Sequence, residues 1–464
     1  MEPIKLSELL NAVKGKLLGE AADLNTEVST VDTDSRNIHP GSLFIPLVGE
    51  RFNGHAFINS ALEAGAAGCI TARSRDGYLP GKFYIKVDST QKALRDLAAW
   101  YKARFDIPFV AVTGSVGKTT TKDMVAAVLG EKYKVLKTEG NLNNEVGLPL
   151  TLLRLNSSYQ IAVVEMGMNH FGEIDYLTKI VHPDVALISN VGDSHIENLG
   201  SRENILKAKC EIFSGMTGNG LAILNGDDPL LRTLEGTLGM ETLWCGLGDN
   251  CGYQATEVDQ SGEAEVKCTL RTPRDAFACE IPGLGQHMVY PALMAAAVGE
   301  RFGLTSEEIV QGILHFEPTK MRMNILHRQD GITILDDAYN ANPQSMRAAV
   351  EVLSKNKGRP RIAVLGDMFE LGALSQVLHT GVGEYLGKSG VEYLVAVGEQ
   401  ARHIAEAAQR GLCAQVRHCQ DKEEAKAVLK SLVQPGCTVL LKASRGMYFE
   451  ELTDYVKELT LPIS

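Results

Sequence analysis

The chain has no apolar run approaching the roughly 20 residues that span a bilayer, so no membrane-spanning helix is expected. Its first residues, MEPIKLSELLNAVKGKL, carry charges throughout and no continuous apolar stretch, which argues against a signal peptide. Nine cysteines make an odd, scattered set without a single C-x-x-C, a usage that fits free thiols in a reduced compartment rather than disulfides or structural zinc. Positive charge is also short. Against 57 Asp and Glu stand 46 Lys and Arg, a net charge of -11, which excludes a surface that coats nucleic acid. Any phosphate site must be built locally, from loops and a few cations. There is no internal repeat and no low-complexity tract. What remains is a globular composition, 44% apolar and 22% charged. Its 464 residues suffice for about three domains. The expectation is a cytoplasmic protein with no nucleic-acid partner.

One segment stands out, FVAVTGSVGKTTT from Phe109 to Thr121. An apolar strand, a glycine-bounded turn and a helix opening on lysine and threonines follow in the order a phosphate-binding loop requires. Such a loop aims backbone N–H groups at phosphates from the positive end of the helix, while the lysine adds a mobile cation and the first threonine a hydroxyl for Mg2+. Gly114, Ser115, Val116, Gly117, Lys118, Thr119 and Thr120 are therefore the candidate nucleotide-binding residues. The standard G-x-x-x-x-G-K-[ST] spacing wants glycine at 112, where this chain has Val112. The looser pattern also fits an ordinary strand-to-helix turn with a solvated lysine; the order of strand, loop and helix favours phosphate.

Around this loop the chain divides into three α/β units, expected at 1–84, 85–314 and 315–464. The first mixes short β pieces (LFIPL at 43–47, CITA at 69–72, FYIKV at 83–87) with a helix-like FINSALEAGAAG. The second alternates strands (FVAV, IAVVE, DVALISN, LAILN) with helices, which predicts a parallel sheet covered on both faces. Shorter β pieces over 252–281 and an Ala-rich helix from His287 to Phe302 complete it. The third, with TILDD, RIAVLG, YLVAVG and CTVLLK, reads as a Rossmann-like α/β domain.

In open parallel sheets ligands sit beyond the carboxyl ends of the strands. IAVVE ends in Glu165, a candidate Mg2+ ligand, with a helix-capping acid as the plainer alternative. DVALISN runs into a rim loop containing His195, a residue type more often packed than functional. Lys207-Ala208-Lys209-Cys210-Glu211-Ile212-Phe213 by itself predicts a helix with a solvated basic face. In the third unit Asp336-Asp337-Ala338-Tyr339-Asn340-Ala341-Asn342-Pro343-Gln344-Ser345-Met346 is too polar for simple packing and ends in a helix start. Gly366 to Gly372 and Lys442 to Gly446 follow two further strands in the same way.

Together these segments resemble the Mur ligases of peptidoglycan synthesis, and within them the branch that adds D-alanyl-D-alanine. The resemblance runs through TGSVGKTT, GNLNNEVGLPLTLLR (140–154), VEMGMNHFGEI (164–174), NVGDSHIENLGS (190–201), KAKCEIF (207–213), DDAYNANPQSM (336–346) and LGDMFELG (365–372). It implies ATP-dependent amide formation between UDP-MurNAc-tripeptide and D-Ala-D-Ala by a monomeric enzyme. By resemblance, the first unit holds the UDP end through Asp34, Ser35, Arg36 and the Gly49 to His55 segment. Asn141, Asn143 and Asn144 lie near substrate, as do Tyr339 and Asn342. Lys118 holds the β- and γ-phosphates. Thr119, Glu165 and His195 arrange two Mg2+ ions, and Lys209, three residues before Ile212-Phe213, carries CO2 as a carbamate. Arg322, Asp337 and Asn340 approach the nucleotide when the third domain closes.

Two departures stand against the family pattern. Where the family has asparagines beside the Ala-rich helix, this chain has Gln286-His287-Met288-Val289-Tyr290-Pro291, and Met321 replaces the glycine before Arg322. Two other readings are a folylpolyglutamate synthase, which shares the ligase chemistry, and a phosphate-loop switch, which explains the loop but not the polar rim of the third unit.

Overall fold

The computed structural model describes residues 1–19, 23–49, 52–74, 77–216, 218–411, 413 and 415–460. Its first sheet has five strands in the order Lys16–Leu18, Phe83–Lys86, Gly68–Thr71, Leu43–Phe44, Val31–Asp32, parallel except for the first pair. Phe83–Lys86 spans the position near residue 84 where the sequence sets its first boundary. The strand expected over 43–47 stops at Phe44 because Pro46 has no N–H to continue the ladder. Thr90–Lys102, capped by the Ser89 hydroxyl, buries Leu94, Leu97 and Tyr101 and packs against both Leu6–Val13 and Gly147–Leu152. That helix joins the first unit to the second.

The central sheet has nine strands, in the order Ala276–Pro282, Glu265–Arg271, Tyr253–Asp259, Glu241–Gly246, Leu221–Asn225, Val185–Ile188, Phe109–Thr113, Ile161–Glu165, Val135–Lys137. From Tyr253–Asp259 to Val135–Lys137 all neighbours are parallel. Phe109–Thr113, Ile161–Glu165 and Leu221–Asn225 are buried at every residue, as strands covered on both faces must be. The β pieces over 252–281 are longer than expected, three strands of seven residues each, the first joining the sheet in parallel and the other two following antiparallel. Burial alternates along Glu265–Arg271, the signature of a strand with only one covered face. Lys118–Gly130 packs against Val289–Arg301, which is buried nearly all round as its Ala-rich sequence allows. Pro291 sits in the first turn of that helix, where an N–H would have no intrahelical partner.

The third sheet has six strands, Asn324–His327, Thr333–Asp336, Thr438–Lys442, Arg361–Gly366, Tyr393–Val397 and Gln415–Cys419, parallel but for the antiparallel first pair. Loops leaving Phe109–Thr113 and Val185–Ile188 meet the loops leaving Thr333–Asp336, Arg361–Gly366 and Thr438–Lys442, and two cavities lie between them. Among the described residues no helix is long and apolar enough to cross a membrane.

Candidate active site

The phosphate loop is held open by its neighbours. Gly114 has φ +154°, and a Cβ there would lie 1.9 Å from Ser189 Oγ; Gly117 has φ +80°. Asn190 clasps the turn from both sides, its Oδ1 accepting from Val116 N at 2.9 Å and its Nδ2 donating to Val116 O at 3.0 Å. Ser115 Oγ accepts from Gly192 N at 2.8 Å. No side chain caps Lys118–Gly130, so the first N–H groups of the helix remain available to an anion. Val112, where the standard motif has glycine, lies inside the strand, paired with Glu165 and Leu187. The turn therefore begins two residues later. Lys118 Nζ donates to Gly114 O at 2.8 Å; burial lowers its pKa while Glu165 opposes the shift.

Glu165 ends the neighbouring strand with only 2% exposure. Its Oε2 accepts from Thr119 Oγ1 at 2.9 Å and its Oε1 from Asn143 Nδ2 at 2.7 Å. Asn144 Oδ1 instead accepts from Val146 N and Gly147 N at the start of the next helix, and Asn141 is exposed. Of the three expected asparagines, only Asn143 touches the carboxylate. No group of three or more His, Cys, Asp or Glu side chains that could hold a metal ion occurs among the described residues.

Lys209 overturns the solvated-face reading of its helix. Lys207 is exposed, but Lys209 is 2% exposed and pairs with no carboxylate among the described residues. Burial, reinforced by the charge of Lys118, drives its pKa well below the usual lysine value. His195, in a left-handed conformation at φ +62°, reaches across to the third domain. Its Nδ1 is 2.6 Å from Glu370 Oε2, at ion-pair distance but outside hydrogen-bonding geometry. The imidazole holds the Glu370 carboxyl below its usual pKa.

Ser115 to Thr120, Arg322, Asp337, Asn340 and Asn342 line one cleft of about 610 Å3. Gly114 shapes the loop without lining that cleft, and Tyr339 underlies Arg322, whose Cζ is 3.9 Å from the ring centroid. Lys442, buried in the same wall, donates to Asp337 Oδ2 at 2.5 Å and to Asn340 O at 2.9 Å. Met288 and Pro291, which offer no side-chain N–H or O–H, line the cleft too, beside His287 and Tyr290, whose side chains carry polar atoms. Asn342 Nδ2 donates to Ser194 Oγ at 2.9 Å, tying the third domain to the central rim. Ser35 and Arg36 do not line the cleft; they stand on the first unit, where Arg36 forms an exposed fork with Asp34. Within the Gly49 to His55 segment, Glu50 and Arg51 lie outside the described residues. The sequence marked the loops that hold them, Gly366 to Gly372 and Lys442 to Gly446, but not the pairings of Glu370 with His195 and of Lys442 with Asp337, because those partners are distant in the chain.

Known proteins match this arrangement along the whole chain. Residues 112–299 match the Mur ligase middle domain, 321–445 the Mur ligase glutamate ligase domain and 27–102 the Mur ligase family catalytic domain. The chain is 39% identical to the UDP-N-acetylmuramoyl-tripeptide–D-alanyl-D-alanine ligase of Bacillus subtilis, with 98% of each protein covered. Its structure is similar to MurF from Acinetobacter baumannii, with a TM-score of 0.91, 34% identity and 99% of each chain covered. It is similar as well to MurF ligase from Thermotoga maritima in complex with ADP, with a TM-score of 0.82, 30% identity, and 92% of this chain and 97% of that one covered.

Proposed function

The chain belongs to the Mur ligase family, and from that premise we infer that it joins D-alanyl-D-alanine to UDP-N-acetylmuramoyl-tripeptide with ATP, releasing ADP and phosphate. The observation that carries this reading is the meeting of two rims: the phosphate loop and the polar loop after Thr333–Asp336 line one cleft. A nucleotide switch has use for only the first of them.

A carboxylate is a poor electrophile, so amide formation needs a leaving group. The tripeptide's terminal carboxylate attacks the γ-phosphorus of ATP and ADP leaves; the dipeptide's amine then attacks the acyl phosphate and displaces inorganic phosphate. Lys118 turns from Gly114 O to the β- and γ-phosphates and neutralises charge in transfer, while the open N–H groups of the helix hold the phosphates still. Arg322, Asp337 and Asn340 position the nucleotide from the third domain. Ser35 and Arg36 take the UDP end, and Asn141, Asn143, Asn144, Tyr339 and Asn342 serve the peptide substrates.

Glu165 is a buried carboxylate with no ion pair among the described residues and a hydroxyl, Thr119, beside it, a donor set that suits Mg2+ shared with nucleotide phosphates. We assign Thr119, Glu165, His195 and Lys209 to two such ions, which when bound neutralise phosphate charge. Lys209 takes part as a carbamate: its amine, whose pKa burial drives well below the usual lysine value, adds CO2 and loses a proton. Orientation of three substrates by a closing domain can supply about 7–11 kcal/mol of the barrier. ATP with a UDP-linked precursor supports a cytoplasmic enzyme.

The test is phosphate release from ATP and Mg2+, with UDP-N-acetylmuramoyl-tripeptide and D-alanyl-D-alanine added separately and then together. Release that needs both, with a product of the ligated mass, is expected. Release indifferent to both would leave only a nucleotide-binding loop.

A further inference from the structure

Arg322 reaches the nucleotide cleft on the linker between the central and third domains, whose Phe316, Pro318, Thr319 and Met323 line the same cleft. Thr319 Oγ1 donates to Asp123 Oδ2 at 2.6 Å, and Asp123 belongs to the phosphate-loop helix Lys118–Gly130. We propose that Asp123 is a positioning residue for the nucleotide: its grip on Thr319 holds a strained turn in the linker, and that turn holds Arg322 in the cleft. This rests on the nucleotide role of Arg322 inferred above and adds what keeps its guanidinium in place.

Strain is the first argument. Thr319 O accepts from Arg322 N at 3.2 Å, closing a four-residue turn whose third residue, Met321, has φ +59°. Turns with a positive φ at that place favour glycine. Met323, on the other side of Arg322, has φ +52°. Two residues with side chains persist in the left-handed region only where their surroundings over-determine them. Here the surroundings are three anchors. Asp123 grips Thr319 from the central domain; on the third domain, Tyr339 N donates to Met321 O at 3.2 Å and Asp337 Oδ1 accepts from Met323 N at 3.2 Å. Asp337 and Tyr339 open the loop whose Asn340 and Asn342 line both the nucleotide cleft and a smaller cavity of about 230 Å3 beside His195. The turn is thus pinned from both domains, and Asp123 is the pin on the domain that carries the phosphate loop.

The build of the anchor is the second. Asp123 is only 5% exposed. Lys137 Nζ donates to its Oδ1 at 2.8 Å, and the buried Lys122 Nζ lies 3.0 Å from the same oxygen. Burial opposes the charge, but Lys122, Lys137 and Thr319 outweigh it and hold the carboxyl below its usual pKa. With Oδ1 taken by two lysines, Oδ2 is left to the linker, and a hydroxyl on a carboxylate makes a charge-assisted bond. What the turn delivers is the third. The Arg322 guanidinium stacks on Tyr339, Cζ 3.9 Å from the ring centroid, and no hydrogen-bond partner of its side chain occurs among the described residues. Its five donors are left for the nucleotide.

Asp123→Ala would leave Lys122 buried without its carboxylate, so the experiment removes the linker side of the contact instead. ADP affinity by calorimetry and initial ligation rates are measured for the wild type, Thr319→Val, Thr319→Ser, Arg322→Ala, and Thr319→Val combined with Arg322→Ala or with Met321→Gly. Thr319→Val is expected to weaken ADP binding and raise the KM for ATP about tenfold, the loss typical of one charge-assisted contact, and at saturating ATP to leave the KM for D-alanyl-D-alanine unchanged. Thr319→Ser keeps the hydroxyl and should bind as the wild type does. Once Arg322 is Ala, Thr319→Val should cost less than about twofold more, because the group it positions is gone. Met321→Gly should restore part of the affinity that Thr319→Val loses, since a relaxed turn needs less holding. Equal losses with and without Arg322, no loss from Thr319→Val, or no recovery with Met321→Gly would overturn the assignment while leaving the ligase intact. An Arg322→Ala variant that binds ADP as the wild type does would overturn the nucleotide role of Arg322, and the clamp with it. A wild type that binds no ADP would overturn the ligase reading itself.

Discussion

The imidazole of His379 is fully buried, with Nε2 accepting from Met368 N at 2.9 Å and the Nδ1 N–H donating to Ser375 O at 2.7 Å. These partners require the neutral ring, because a proton on Nε2 would face an N–H. Burial accordingly lowers its pKa, with Ser375 and Asp367 opposing. The unfolded chain then takes up this proton first, so stability falls as pH drops below the unfolded value of about 6.5 and continues to fall until the folded pKa is reached. His379→Leu should be less stable than wild type at neutral pH but show a flatter loss between neutral and mildly acidic pH in denaturant titrations. Parallel curves would remove His379 from the account. The residue matters to the site because Met368 begins the turn that carries Phe369 and Glu370. Nothing in the sequence near His379 marks it. Lys209 is a similar case: residue chemistry alone favoured solvent for the whole basic face, the family resemblance selected Lys209, and the structure buries it while leaving Lys207 outside.

The phosphate loop was the most legible element, since strand, turn and helix are contiguous and each has its own local signature. Glycine is missing at 112 because the strand continues through Val112 to Thr113 before the turn begins. Glu241–Gly246 and Gln415–Cys419 were not legible, because short strands with exposed positions lack a continuous apolar run. The loop also makes a prediction at this scale. Gly114→Ala should weaken ADP binding at least about tenfold by calorimetry, since the new methyl displaces the Ser189 hydroxyl from Val116 O. Ser189→Gly in that background should recover part of the loss. No recovery would mean that the backbone angle at Gly114, and not its neighbour, sets the requirement.

Across the whole molecule, the polar contacts that hold the third domain against the second include Asn342 with Ser194, Glu370 with His195, Glu197 N donating to Glu370 O, Lys355 with Gln260, Lys357 with Glu263, and Thr319 Oγ1 donating to Asp123 Oδ2 at 2.6 Å where the linker passes the phosphate-loop helix. These pairings join residues far apart in the chain, which is why the sequence showed the two rims but not how they meet. Glu370→Ala combined with Asn342→Ala should increase the radius of gyration of the ligand-free protein in solution scattering. An unchanged profile would place the hold between the domains elsewhere. The wall formed by Asn340 and Asn342 has a thermodynamic consequence. A wall that belongs to two compartments cannot be ordered for one occupant without being ordered for the other, so the two occupancies are linked. Whatever factor ADP contributes to the affinity of an occupant of the smaller cavity, that occupant must return to ADP in equal measure. A titration of either ligand in the presence of the other therefore measures one and the same coupling, and with it how firmly this enzyme commits to a complete set of substrates before it reacts.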